Sequence, residues 1–231
     1  MSVILNIDSS TTMCSVGIGV DGKCIDFLEI NDGYSHAEKL APFVDELLRK
    51  NSITIATVDA VAVGKGPGSY TGLRIGVSLA KGLCFAHNKP LIAVSTLQMM
   101  CLHPAVREQL NFFKDMLLCP MLDARRMEVY TAIYDVGLMP LMETEAKILE
   151  EDSYSEWLNK ELVLFFGNGA EKFKSLTPHS SAKFVDEVWP SAQYMTGLSQ
   201  MKFEQSEFED LAYFEPYYLK EFMGTAPKKL V

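Results

Sequence analysis

The sequence is poor in histidine, in tryptophan and in positive charge. It has 4 His and 2 Trp among 231 residues. His36, His87, His103 and His179 are scattered, and no two stand four apart. That excludes a His-x-x-x-His metal helix, and no Ser/His/Asp set can be assembled by spacing. Lys and Arg total 21 against 30 Asp and Glu, a net charge of −9. Lys and Arg contacts to phosphate dominate nucleic-acid affinity, so a chain this acidic is not built to grip nucleic acid alone. The 5 cysteines (Cys14, Cys24, Cys84, Cys101 and Cys119) are odd in number and include no Cys-x-x-Cys pair. Reduced, buried thiols fit better than a disulfide framework or a zinc ribbon. No apolar run is long enough to span a bilayer. Val3–Ile7 is too short, and has the wrong flanks, for a signal peptide. A soluble cytoplasmic chain without membrane contact is expected. At 48% hydrophobic and 22% charged residues, the chain has the composition of a folded protein.

The pattern along the chain predicts a repeated architecture. Val3–Ile7, Met13–Val20 and Lys23–Ile30 read as a three-stranded meander, with Asp21-Gly22 as its hairpin turn. A helix follows, opened by a Ser35/Glu38 capping box and carrying Leu40, Phe43, Val44, Leu47 and Leu48 on one face. Pro42 removes a donor inside it and predicts a kink or a tight first segment. Asp59–Val63 reads as a buried strand, Gly64–Gly68 as a turn, Tyr70–His87 as a helix and Leu91–Val94 as a strand. Helical sequence follows around Thr96–Leu102 and Ala105–Phe113. Strands are then expected at Met116–Leu122, Glu128–Asp135 and within Leu138–Leu149. A helix at Ser153–Lys160, a strand at Glu161–Phe166, a helix at Ala170–Leu176, a strand at Ala182–Val185 and a helix near Ala192–Phe203 complete the series. Thr225–Val231 reads as a loose tail. Antiparallel strands followed by αβα units, twice over, predict an α/β fold of two related halves, residues 1–103 and 104–231.

Three segments carry potential chemistry. Gly64-Lys65-Gly66-Pro67-Gly68-Ser69 joins a strand to a helix, where backbone N–H groups and the helix dipole favour an anion. It matches neither the Walker loop, nor the dinucleotide fingerprint, nor the nucleophile elbow. A tight strand-to-helix turn competes with a phosphate loop. Asp8-Ser9-Ser10-Thr11 offers a carboxylate and hydroxyls that suit a magnesium nucleotide, or else a loop that satisfies its own backbone. A possible nucleotide or anion site therefore comprises Asp8, Ser10, Gly64, Gly66 and Gly68. In the following helix Gly72, Gly76 and Ala80 recur every four residues and leave a strip open to a neighbouring helix, from this chain or another. Arg74, Ser78, Lys81 and Phe85 fall on a different side. Asp123-Ala124-Arg125-Arg126 is a charged hairpin turn, a contact site or a solvated turn.

The segments ILNIDSSTTMCSVGI, SHAEKLAPFVDELL, AVGKGPGSYTGLRIGVSLAKGL, KPLIAVSTL, LDARRMEVYTAIY, LVLFFGNGAEKF and FEPYYLKEF occur in the order found in the TsaB (YeaZ) family, which the sequence resembles along its length. The resemblance implies an actin-like ATPase (ribonuclease H-like) fold of two related subdomains, each a mixed sheet flanked by helices. It implies a non-catalytic subunit, without cofactor, that binds and activates a catalytic paralogue, TsaD, together with the ATPase TsaE. That assembly makes threonylcarbamoyladenosine next to the anticodon of tRNA, and contact with tRNA would be indirect. Partner binding and self-association would share the two helices flanking the glycine-rich strand, giving Leu40, Phe43, Leu47, Tyr70, Leu73, Arg74, Val77 and Lys81 as contact candidates. The resemblance also marks a departure from TsaD: Thr96 and Met100 stand where TsaD has the two histidines of its metal motif. The rival reading is a nucleotide-dependent transferase or phosphotransferase of the same superfamily, using Asp8, Ser10 and the Gly64–Gly68 turn. A peptidase reading lacks a nucleophile–base pair.

Overall fold

A computed structural model describes residues 1–33 and 35–220. Val3–Asp8 (β1) pairs antiparallel with Met13–Val20 (β2), which pairs antiparallel with Lys23–Asn31 (β3). On its other edge β1 pairs parallel with Ala60–Gly66 (β4), and β4 pairs parallel with Leu91–Ser95 (β5). The resulting five-stranded sheet has the order β3-β2-β1-β4-β5. The β2–β3 turn is the predicted one, with Asp21 at φ 47° and Gly22 at φ 77°, the left-handed pair that a tight hairpin demands.

The second sheet repeats the plan. Leu117–Asp123 (β6), Glu128–Tyr134 (β7), Pro140–Ile148 (β8), Val163–Phe166 (β9) and Ala182–Val185 (β10) form the order β10-β9-β6-β7-β8. β6 pairs antiparallel with β7 and parallel with β9, as β1 does with β2 and β4. The chain therefore has the actin-like fold, two mixed sheets related by element order rather than by sequence.

His36–Lys50 (α1) and Tyr70–His87 (α2) cover one face of the first sheet. Residues of β1 alternate across it. Leu5 and Ile7 join Leu40, Leu47 and Val77 under the two helices, while Ile4 faces the opposite side with Ala62 and Ile92. Thr96–Met100 (α3) bridges the sheets, with Met99 in the first core and Leu97 and Met100 in the second. Pro104–Gln109 (α4) lies on that same face of the second sheet, through Val106. Ser155–Leu158 (α5) and Ala170–Lys174 (α6) cover its other face, where Phe165, Phe173 and Tyr154 pack ring to ring.

The last elements leave the second half. A 3-10 turn at Ala192–Met195 and the helix Thr196–Glu204 (α7) pack on the first sheet, opposite α1 and α2. The sequence predicts one helix here and the structure divides it in two. Downstream, Glu209 bridges to Leu91 at the sheet edge, and residues 212–218 run over α2.

Some local expectations fail for identifiable reasons. Ser35 precedes α1, but its side chain makes no cap. Its backbone (φ −86°, ψ 6°) is not extended, so the hydroxyl cannot turn back to the helix and donates instead to Asp32 Oδ1 at 2.5 Å. The helix expected to reach Phe113 ends at Gln109. The tail Thr225–Val231 lies outside the described residues. Among these, no helix is long and apolar enough to cross a membrane.

Candidate functional site

The two motifs at the carboxyl ends of β1 and β4 meet face to face. Asp8 is fully buried, and its Oδ2 accepts from Ser10 Oγ at 3.0 Å and from the Ser10 N–H at 3.4 Å. Oδ1 is buried without a hydrogen-bond partner. Burial pushes the carboxyl up to about 6, against the opposing pull of Ser10 and the Ser9 N–H.

The glycines across from this loop are cut to fit it. A Cβ at Gly64 would sit 2.1 Å from Asp8 Oδ1, and one at Gly68 2.1 Å from the Ser10 carbonyl oxygen. At Gly72 it would meet the Ser9 carbonyl oxygen at 2.1 Å, and at Gly76 the Ser9 hydroxyl at 2.2 Å. Ser10 O accepts from the Ser69 N–H at 2.6 Å, and Ser9 Oγ donates to Gly72 O at 2.8 Å. Gly66 (φ 108°) lies against the Tyr217 carbonyl and Leu73. The helical strip expected to admit another helix is therefore occupied at Gly72 and Gly76 by Ser9 of the same chain. The arrangement is a clasp: four glycines at four-residue spacing seat residues 8–10.

The contact candidates divide sharply. Leu40, Leu47, Leu73 and Val77 are buried under α1 and α2. Phe43 is half-buried, and Tyr70, Arg74 and Lys81 reach the surface. There the C-terminal segment engages them. The Arg74 guanidinium hydrogen-bonds Tyr70 Oη, lies 4.2 Å over the Tyr70 ring and donates to Tyr218 Oη at 3.2 Å. The Tyr70 and Tyr218 rings are 4.6 Å apart. Lys81 Nζ donates to the carbonyls of Phe214 (2.9 Å) and Ala212 (3.3 Å). The tyrosines of FEPYYLKEF are the trace this strap leaves in the sequence. On the same side of α2, Phe85 is 83% exposed, and its spacing from Arg74, Ser78 and Lys81 was the signal that marked it.

Thr96 and Met100 lie buried on α3, with Thr96 Oγ1 lacking a partner and Met100 against Gly167. A hydroxyl and a thioether do not fit the divalent metal that a histidine pair would hold. Among the described residues no three His, Cys, Asp or Glu side chains gather into a metal set.

The second sheet has its own version of the clasp. Asp123 closes β6 as Asp8 closes β1. Its N–H donates to Asn168 Oδ1 at 3.0 Å, and its carboxylate takes the Arg125 N–H at 2.6 Å and Lys172 Nζ at 2.7 Å. A Cβ at Gly169 would press on Val129 and on the backbone at Leu122 and Asp123.

Comparison with known proteins matches the family described as TsaD, tRNA N6-adenosine threonylcarbamoyltransferase, over residues 33–221. The chain is 32% identical over 234 residues to the tRNA threonylcarbamoyladenosine biosynthesis protein TsaB of Escherichia coli (strain K12), covering 98% of this chain and 97% of that one. A Pseudomonas aeruginosa crystal structure, described as similar to peptidase YeaZ, superposes with a TM-score of 0.82 at 26% identity, over 95% of this chain and 100% of that chain. The activator of 2-hydroxyisocaproyl-CoA dehydratase from Clostridium difficile shares the fold alone, with a TM-score of 0.50 at 8% identity over 89% of this chain and 96% of that one.

Proposed function

Because this chain belongs to the TsaB (YeaZ) family, we propose that it is a non-catalytic subunit of the assembly that makes threonylcarbamoyladenosine in tRNA. In this reading it binds and activates a TsaD-like paralogue, which works together with a TsaE-like ATPase. The observation that carries the reading is the 32% identity to E. coli TsaB along nearly the whole of both chains. The surface of α1 and α2 is the docking face, used also for self-association. Phe43, Tyr70, Arg74 and Lys81 make the contact, joined by Phe85. Leu40, Leu47, Leu73 and Val77 act from beneath, by holding the helices on the sheet. Contact with most of the tRNA falls to the partners, in keeping with the charge of −9.

The rival nucleotide-transferase reading needs Asp8, Ser10, Gly64, Gly66 and Gly68 to cradle a phosphate. The Cβ space at Gly64 and Gly68 is taken by Asp8 and Ser10 themselves, which favours a structural clasp. Titration with magnesium and ATP separates the two: tight binding and turnover by the chain alone would support the enzyme.

The docking face is tested with Phe85→Glu. Val77→Glu is unsuitable, since Val77 is buried and a charge there disrupts the fold. The Phe85 variant should melt like the wild type, lose co-purification with the TsaD-like protein and lower the modified adenosine content of tRNA. If both survive in the folded variant, the face is misplaced.

A further inference from the structure

The β6–β7 turn solves a backbone problem in an unusual way. Arg125 (φ 72°) and Arg126 (φ 48°) are both in the left-handed region, which favours glycine, asparagine and aspartate. The β2–β3 turn of the same chain meets the same demand with Asp21 and Gly22. Two consecutive arginines are a poor choice for the turn itself, and strained residues held in place by their surroundings gather at binding sites. The surroundings here do hold them. The Ala124 N–H donates to Glu128 O, the Glu128 N–H to Arg125 O, and Asp123 ties the Arg125 N–H to Lys172.

The charge left over is positive. Asp123 is paired with Lys172, and Glu128 with Lys220. Arg125 and Arg126 are exposed and have no acidic partner among the described residues. In a chain of net charge −9, the tip of this hairpin thus carries a pair of guanidinium groups that no carboxylate among the described residues neutralises. Met127 is the apolar neighbour, 42% exposed. Protein interfaces are anchored by apolar and aromatic side chains buried at their centre, and this convex tip offers almost none. Paired guanidiniums on a rigid turn suit phosphate oxygens, which they engage through several donors at once.

We propose that the Arg125–Arg126 turn is a contact site for the phosphodiester backbone of RNA. This goes beyond the subunit role above, because the isolated chain carries the contact. The site is small, and its binding is weak and strongly salt-dependent.

The test is fluorescence anisotropy with a labelled, unmodified single-stranded RNA and the full chain, over a salt series starting low. In Arg125→Gln/Arg126→Gln, the plot of log affinity against log salt should become shallower by about 1.4, two contacts at about 0.7 each. Arg125→Asn/Arg126→Gly supplies the residues that the turn prefers, so it should melt higher than wild type and still lose RNA binding. Arg125→Lys/Arg126→Lys should keep the slope. The proposal is overturned if the Asn/Gly variant binds RNA as wild type does, or if wild type binds none at low salt. It is also overturned if polyglutamate competes as well as RNA, since the turn then recognises acidic protein. Co-purification with the TsaD-like protein is measured on the same variants. Its loss would make the turn a protein contact and overturn the proposal, whereas failure of Phe85→Glu to disturb the complex would leave it standing.

Discussion

Replacing glycine by alanine at three places on α2 separates helix propensity from the fit of the clasp. Gly82 has open space where a Cβ would go, so Gly82→Ala should gain the full propensity difference, about 1 kcal/mol. At Gly76 the new methyl would lie 2.2 Å from Ser9 Oγ. The hydroxyl can rotate away, but it then gives up its 2.8 Å bond to Gly72 O in a buried setting, a cost of about 1–3 kcal/mol. Set against the propensity gain, the net loss is about 1 kcal/mol. At Gly72 the obstacle is the Ser9 carbonyl oxygen, 2.1 Å away. Backbone cannot rotate aside, and the next carbonyl is pinned to the Ser69 N–H at 2.6 Å. Overpacking of this kind costs about 1–3 kcal/mol, and the top of that range applies, for a net loss of about 2 kcal/mol. The order of stability should therefore be Gly82→Ala, wild type, Gly76→Ala, Gly72→Ala, spread over about 3 kcal/mol. Urea unfolding followed by far-ultraviolet circular dichroism reads the midpoints. A double mutant with Ser9→Ala should relieve Gly76→Ala but not Gly72→Ala, a coupling of about 1 kcal/mol. If Gly72→Ala is as stable as Gly82→Ala, the glycines do not exist to seat residues 8–10 and there is no clasp.

Asp8 gives a pH dependence of determinate sign. Its folded value of about 6 lies above the ordinary 3.8, so the folded chain keeps a proton that the unfolded chain has released. The stability due to this group is greatest below about pH 4 and falls as pH rises through about 6, by at most about 3 kcal/mol. Asp8→Asn should remove that decline and raise the melting temperature at neutral pH more than at acid pH; a difference that is constant with pH would contradict it. Tyr218→Ala should loosen the strap, costing about 1 kcal/mol in ring and guanidinium contacts. Chymotrypsin should then cut faster at Tyr213 and Tyr217, with a melting temperature only a few degrees lower; unchanged cleavage would mean that Arg74 and Tyr70 do not hold the strap.

Much of the fold was legible because the pattern is local. β2 and α2 fall on their predicted residues, Met13–Val20 and Tyr70–His87, since each is bounded by turn or cap residues and has one consistent period. The Ser35 cap does not form because a capping box needs an extended backbone at Ser35 as well as the right side chains. The clasp was half visible. Gly72 and Gly76 announce that something comes close, but a spacing of four on a helix does not say whether the visitor is a helix or a loop. Ser9 lies more than sixty positions away in sequence, and no periodicity reaches that far. The strap escaped for the same reason. Its hold on Arg74 and Lys81 is made of carbonyls and one tyrosine hydroxyl, which no composition or spacing reveals. The strain at Arg125 and Arg126 is a matter of backbone angles, and arginine is not a residue from which such angles are inferred.

The return of residues 192–204 to the first sheet sets a timetable for the growing chain. All five strands of that sheet are translated by Ser95, yet the face holding Ile4, Ala62, Ile92 and Val94 waits for Ala192, Met195 and Leu198 to cover it. At about 5–20 residues per second, that interval on the ribosome lasts roughly 5–20 seconds. During it the nascent chain shows an apolar face that chaperones or neighbouring chains can reach. A message truncated just before Ala192 would yield a protein with both sheets paired and one side of the first permanently wet.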